Sequence, residues 1–217
     1  MGDRKVLLSG KWRIAGVAAA VVTAGLLYPA PRAQAQSCAA VEVVVARGTQ
    51  EPGYLGSAVG DPLFAALRER LPVDVDGYRV NYPADLTDPA SVGDGSADLV
   101  AHMVSQAAAC PAQRFVLAGY SQGAAVVHTA LGTGLTDDIP GAVRLPGELG
   151  ARVTAVLLFG DPMRLVGWSV PGPYLGRTGN WCAPGDPVCA GGLDPQAHVV
   201  AYADDMGAAA NFTADRL

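Results

Sequence analysis

Beyond residue 40 the hydrophobic positions of the chain fall into two alternating rhythms. Short apolar runs rich in β-branched residues stand at 41–46, 78–82, 114–118 and 153–159. Runs of this length, bounded by Gly or Pro, read as strands buried on both faces of a parallel sheet. Between them lie stretches with helical spacing at 62–70, 96–109 and 122–131. Asp61 is the expected N-cap of the first, with Pro62 at its first helical position. Strand alternating with helix predicts an α/β fold, helices packed on a mostly parallel sheet. Residues 133–150 and 167–192 are rich in Gly, Pro and Asp and read as surface connections. A last, Ala-rich helix is expected to follow His198 toward Phe212. No internal repeat interrupts residues 36–217, which read as a single domain.

The N-terminal pattern is different. Arg4, Lys5, Lys11 and Arg13 precede a weakly polar or apolar run from Ile14 to Tyr28, and Ala33-Gln34-Ala35 then supplies a small-x-small step. Together they predict a secretory signal peptide over residues 1–35, cut after Ala35. An uncleaved anchor is the alternative, for which the run is short. No later run approaches the ~20 apolar residues of a membrane span, so no integral span is expected in the mature chain.

Composition narrows the function. Half of the 217 residues are hydrophobic and only 16% are charged, which excludes a disordered chain. Removing residues 1–35 takes away five of the 15 basic and one of the 20 acidic residues, moving the net charge from -5 to -9. Such a surface repels phosphate backbones and anionic headgroups at long range, so nucleic acid is not an expected partner. A neutral small molecule or polymer fits better. All four cysteines, Cys38, Cys110, Cys182 and Cys189, lie beyond the leader, an even number suited to two disulfides in an oxidising compartment. Three pairings are open, although Cys182 and Cys189 flank a short Pro/Gly/Asp loop and are natural mates. Zinc is disfavoured, since no Cys-x-x-Cys pair or nearby His spacing supports it.

Gly119-Tyr120-Ser121-Gln122-Gly123 follows the expected strand at 114–118 and opens the expected helix at 122–131. That is the context of a nucleophile elbow, in which Gly on either side of the serine relieves clashes at a sharp strand-to-helix turn. The competing reading is a Gly-flanked turn serine without chemistry. A serine hydroxyl needs a base, and the base needs a carboxylate to orient it. His128 lies seven residues along the same helix, about 10 Å away. His102 precedes the nucleophile, against the chain order Ser, acid, His of α/β-hydrolases, and His198 fits that order. Among the acids, Asp161 ends the strand directly after the Ser121 unit and has a turn or capping role as its plain reading. Asp194 reads as a solvated turn. Asp186, inside the 182–189 loop, is the preferred partner. Backbone donors for an oxyanion are expected from Gln122 and from Thr49, in the loop Arg47-Gly48-Thr49-Gln50-Glu51-Pro52-Gly53 after the first strand.

Taken together, Ala46-Arg47-Gly48-Thr49, Gly119-Tyr120-Ser121-Gln122-Gly123, Cys182-x-x-Gly185-Asp186-x-x-Cys189 and His198 resemble the cutinase family of serine esterases, particularly its actinobacterial cutinase-like proteins. The resemblance spans nearly all of residues 38–205. It implies a lidless α/β-hydrolase with a central five-stranded parallel sheet flanked by helices, acting as a monomer without metal or organic cofactor. It further implies Ser121, Asp186 and His198 as triad, Thr49 and Gln122 as oxyanion hole, and bridges Cys38 to Cys110 and Cys182 to Cys189. Between acid and base the chain departs from fungal cutinases: Leu193 and Val199 keep apolar character, but Asp194-Pro195-Gln196 replaces aliphatic residues.

The expectation is therefore a secreted serine carboxylesterase, released or held at the cell envelope, acting on short- to medium-chain small-molecule or lipid esters rather than polymeric cutin. The alternatives are an acetylxylan-type polysaccharide esterase, a lipid-directed esterase or phospholipase, and a non-catalytic binding protein on a hydrolase fold.

Overall fold

The structure, a computed structural model, describes residues 38–134 and 138–217, so the expected signal segment lies outside the described residues. Five strands, β1 (Val41–Ala46), β2 (Val75–Arg79), β3 (Arg114–Tyr120), β4 (Val153–Phe159) and β5 (Thr178–Trp181), form one parallel sheet in the order β2-β1-β3-β4-β5. The three central strands are the apolar ones. Every residue of β1, β3 and β4 except Arg114 is buried, because helices cover both faces.

Seven α-helices surround the sheet in the described residues: α1 (Gly60–Arg70), α2 (Ser91–Ala109), α3 (Gln122–Leu131), α4 (Gly147–Gly150), α5 (Gly172–Leu175), α6 (Pro195–Val200) and α7 (Met206–Ala214). Alternate strand residues point to opposite faces and build two cores. Val44, Phe115, Leu117 and Leu158 pack with Leu99 and Met103 of α2 and Val126 of α3. Val43, Val116, Leu157 and Phe159 pack with Leu63 and Leu67 of α1 and with Met206 and Ala209 of α7.

The edge strands are where the sequence pattern misleads. β2 is Val-Asp-Gly-Tyr-Arg, three residues earlier than the apolar run at 78–82. Val75 pairs with Val41 and the ladder then runs to Arg79. Val80 and Tyr82 are buried because they continue beneath α2, which gives them an apolar signature without a place in the strand. β5, Thr-Gly-Asn-Trp, lies inside a stretch read as surface connection; a short, polar edge strand carries little hydrophobic signal. Helix starts also move. Asp61 is not a cap but the second residue of α1, where its carboxylate accepts from the Tyr54 and Leu55 amides. α2 begins five residues before its expected start, through Gly93 and Gly95, which are poor helix formers needed for close approach. A Cβ on Gly93 would collide with the Pro140 carbonyl, and one on Gly95 with Val126.

The two disulfides are those the family resemblance implies. Cys38–Cys110 ties the segment before β1 to the end of α2, and Cys182–Cys189 closes the loop after β5. The chain leaves β1 toward the β2 edge and returns to β3 on its other side, so the loops diverge at the C-terminal ends of β1 and β3. In open parallel sheets that switch point is where ligands bind.

Candidate active site

Ser121 stands at that switch point, directly after β3. Its backbone has φ 54° and ψ -120°, a left-handed conformation that costs a non-glycine residue ~1–3 kcal/mol. The turn is held by its neighbours: the Ser121 amide donates to the Phe159 carbonyl (2.9 Å), and a Cβ on Gly123 would collide with the Ala46 carbonyl of β1. Gly119 is constrained in the same way, by the backbone of Ala124. Ser121 occupies the N-cap position of α3 but makes no side-chain cap, so its hydroxyl is left for another partner.

That partner is His198, whose Nε2 lies 2.9 Å from Ser121 Oγ. The opposite nitrogen, Nδ1, is 2.7 Å from Asp186 Oδ2. A carboxylate only accepts, so Nδ1 donates and Nε2 is free to accept the Ser121 hydroxyl. His198 sits on α6, whose first turn is capped by Asp194 accepting from the Gln196 amide (2.9 Å). Asp194 is thus a cap supporting the histidine's helix. Asp186 is fully buried in the Cys182–Cys189 loop. Its Oδ1 accepts from the Val188 amide (2.6 Å) and the Cys189 amide (3.3 Å), and Oδ2 also accepts from the Tyr202 hydroxyl. Burial alone pushes this carboxyl up, but Tyr202, His198 and the Val188 amide together hold it below the ordinary aspartate range.

The other candidates are used elsewhere. His128 is buried in α3, its Nε2 3.0 Å from Asp161 Oδ2 and its Nδ1 2.9 Å from Thr133 Oγ1. Asp161 also accepts from Asn180 Nδ2 (2.7 Å) and caps the following 3-10 turn through the Met163 amide (2.9 Å). His102 pairs with Glu42 (2.9 Å) and stacks on Tyr78, in the layer between α2 and the β1–β2 edge.

Thr49 and Gln122 meet across the switch point, Thr49 Oγ1 donating to Gln122 Oε1 at 3.5 Å. Gln122 is the first residue of α3, so its amide has no carbonyl partner within the helix. Several contacts fix the Thr49 loop. Glu51 accepts from the Gly48 amide (2.6 Å) and the Ala58 amide (2.7 Å), while the Gln50 amide donates to the Ala84 carbonyl (2.8 Å). Arg47 donates to the carbonyls of Tyr82 and Pro83, and Gln122 Nε2 to that of Asp85 (3.1 Å). One segment, residues 82–85, therefore braces both the Thr49 loop and Gln122.

Arg47, Glu51 and Tyr120 stand in the sequence motifs without an expected role, and Tyr202 stands in none of them. Tyr120 donates to the His198 carbonyl (2.6 Å) and stacks on its ring. Its signal was available, as the variable residue of Gly-x-Ser-x-Gly. Tyr202 had none. Gly160, just after β4, matters through what it lacks: a Cβ there would lie 2.7 Å from His198 Cε1 and 2.9 Å from Nδ1. Gly160→Ala is expected to push the imidazole off Ser121 and lower kcat about 100-fold, read by steady-state ester hydrolysis on protein of unchanged secondary structure.

The arrangement can carry a proton from Ser121 to His198 and stabilise the imidazolium that results. Among the described residues no group of three or more His, Cys, Asp or Glu is gathered to hold a metal ion, and no helix is long and apolar enough to cross a membrane.

Comparison with known proteins gives a consistent assignment. Carboxylesterase Culp1 of Mycobacterium tuberculosis is 40% identical over 218 residues, covering 94% of this chain and 95% of that protein. The structure of Trichoderma reesei cutinase in complex with a phosphonate inhibitor superposes with a TM-score of 0.68 at 32% identity, covering 82% of this chain and 76% of that one. The catalytic core of acetyl xylan esterase from Trichoderma reesei has a TM-score of 0.70 at 25% identity, covering 83% and 100%. The α/β-hydrolase architecture is shared with both. The Cutinase family model matches residues 37–217, and with it the chain belongs to the cutinase family.

Proposed function

We propose that this protein is a secreted serine carboxylesterase of short- to medium-chain esters, with Ser121, His198 and Asp186 as its triad. The observation that carries the reading is the unbroken chain of contacts, 2.9 Å from Ser121 to His198 and 2.7 Å from His198 to Asp186. Ser121 Oγ attacks the ester carbonyl as His198 Nε2 takes its proton. The Thr49 and Gln122 amides receive the oxyanion. Collapse of the tetrahedral intermediate expels the alcohol, protonated by His198, and leaves an acyl-serine. Water, deprotonated by the same imidazole, then releases the carboxylic acid and restores Ser121.

The likeness to a carboxylesterase over almost the whole of both chains supports the ester class. Exposed aliphatic side chains adjoin the site in sequence: Leu86 next to Asp85, Leu193 before the Asp194 cap and Val199 after His198. They favour acyl chains over sugars. Export is supported by two disulfides in the described residues and by the leader pattern.

The test is hydrolysis of p-nitrophenyl esters from acetyl to palmitoyl by the mature protein, with a phosphonate ester as covalent probe. The expected result is a rate maximum at short or middle chains and stoichiometric phosphonylation of Ser121. Absence of both in folded, oxidised protein overturns the reading. The likeness to acetyl xylan esterase favours a second reading, a polysaccharide deacetylase. It predicts acetate release from acetylated xylan at rates far above those on butyryl or hexanoyl esters.

A further inference from the structure

Behind the acid of the proposed triad lies a residue that nothing in the sequence pattern singles out. Tyr202, on the 3-10 segment Ala201–Asp205 that follows the histidine's helix, is 1% exposed. Its hydroxyl donates to Asp186 Oδ2, the same oxygen that receives His198 Nδ1. The phenol oxygen in turn accepts from the Ala183 amide (3.4 Å). The ring is fixed edge-on against Tyr120 and Phe159, with centroids 5.9 Å from each, and stands nearly perpendicular to His198 at 6.5 Å. The phenol oxygen also lies 3.4 Å from the disulfide sulfur of Cys189, a weak neutral acceptor, so the proton is directed to the charged carboxylate of Asp186.

We infer that Tyr202 is a positioning residue that sets the basicity of His198 by competing with the imidazole for Asp186 Oδ2. The inference rests on the triad reading above. Two donors on one carboxylate oxygen divide its negative charge, so the phenol weakens the hold of Asp186 on the imidazolium that forms during attack. With the phenol gone, that oxygen is left to the imidazole alone. The imidazolium is then stabilised more, and the histidine becomes inactive as a base at a higher pH than before.

The ionisable groups packed around this dyad do not supply the same effect. Tyr120 and Tyr202 are both pushed above the ordinary tyrosine range, chiefly by burial, so both stay protonated in the assay. Glu51, on the Thr49 loop, has its carboxyl pushed up by burial against the pull of the Gly48 and Ala58 amides, but it is the same in every variant below and cannot move the limb between them. Asp161, beside Gly160, is committed to His128 and Asn180, and Asp194 to its helix cap. Asp204 and Asp205 share the segment of Tyr202, and both remain in the variants below.

The experiment is the pH profile of kcat/KM for a p-nitrophenyl ester, pH 4 to 9, for wild type, Tyr202→Phe and protein carrying 3-fluorotyrosine site-specifically at position 202, with Ser121→Ala as reference. Tyr202→Phe keeps the ring and removes the donor; its acidic limb is expected to move up by about half a pH unit or more, with KM within about twofold. Fluorotyrosine is a stronger donor and is expected to move the limb the other way. A structural role alone would lower the melting temperature and scale the whole profile without moving the limb. Superposable limbs in all three proteins overturn the inference and leave the triad standing, provided Ser121→Ala is inactive. Activity that survives Ser121→Ala removes the triad reading and this inference with it. Where Tyr202→Phe does not fold, the direction of the fluorotyrosine shift decides alone.

Discussion

Replacing Ser121 with Ala is expected to lower ester turnover by about 10⁴- to 10⁶-fold while the protein keeps its fold. No other hydroxyl is hydrogen-bonded to His198 Nε2 in the described residues, and water lacks the fixed geometry of a serine held 2.9 Å away. Alanine inherits the same strained backbone, so the substitution neither adds nor relieves the cost at φ 54°. What is lost in the ground state is one partly buried hydrogen bond, worth about 1 kcal/mol. The checks are steady-state hydrolysis, titration with a phosphonate ester, and a melting curve. Retained turnover in a variant free of wild-type contamination would remove the proposed mechanism.

The second large effect separates the two buried aspartates. Asp186→Asn is expected to reduce kcat about 10⁴-fold, because an amide can donate to Nδ1, which turns the imidazole into the tautomer whose Nε2 carries a proton and cannot take one from Ser121. Asp161→Asn is expected to leave kcat within about tenfold. Its carboxylate serves His128, Asn180 and the Met163 amide, none of which meets Ser121. The cost appears instead as stability, about 2 kcal/mol for weakening the buried hydrogen bonds that the carboxylate accepts, or a melting temperature lower by about 6 °C. The reverse result, activity lost with Asp161 and kept with Asp186, would move the acid one strand earlier.

The same two groups set the acid limit of the fold. Burial pushes each carboxyl up, but in Asp161 the hydrogen bond and charge of His128, the Met163 amide and Asn180 outweigh it, as Tyr202 and His198 do in Asp186. Both end below the ordinary value of 3.8. A depressed folded value means that the stabilisation is fully present above about pH 4 and is lost as the pH falls through the folded values. Melting temperatures measured from pH 6 downward are expected to hold to about pH 4 and then fall, and Asp161→Asn is expected to flatten that fall.

Much of the architecture was legible in the residues because the central strands and the helices beside them answer to local rules. β1 and β4 coincide with their apolar runs, and α3 runs from Gln122 to Leu131 as its spacing requires. The edges were not legible for the opposite reason. β2 and β5 are strands because a neighbour offers them a ladder, and their own residues, Asp76, Gly77 and Asn180 among them, carry weak strand preference. The start of α2 was hidden similarly, since its glycines are chosen for the surfaces they touch.

The sequence by itself determined the candidate chemistry of this protein: a serine in an elbow pattern, one histidine in the right order after it, an acid in a cysteine-closed loop, and two donors for an oxyanion. Residue types and spacing suffice there because a strand-to-helix turn with glycine on both sides has few other uses. Only the tertiary structure decided what surrounds those groups. Tyr202 reaches Asp186 from 16 residues away, Tyr120 holds the His198 backbone across 78, and the segment at 82–85 braces Gln122 across 37. These contacts lie between elements that meet only when the sheet closes, and a buried hydroxyl or carbonyl leaves no periodic trace along the chain. The electrostatic setting of the site belongs to that level, because burial and donor count around Asp186 are properties of the packed molecule.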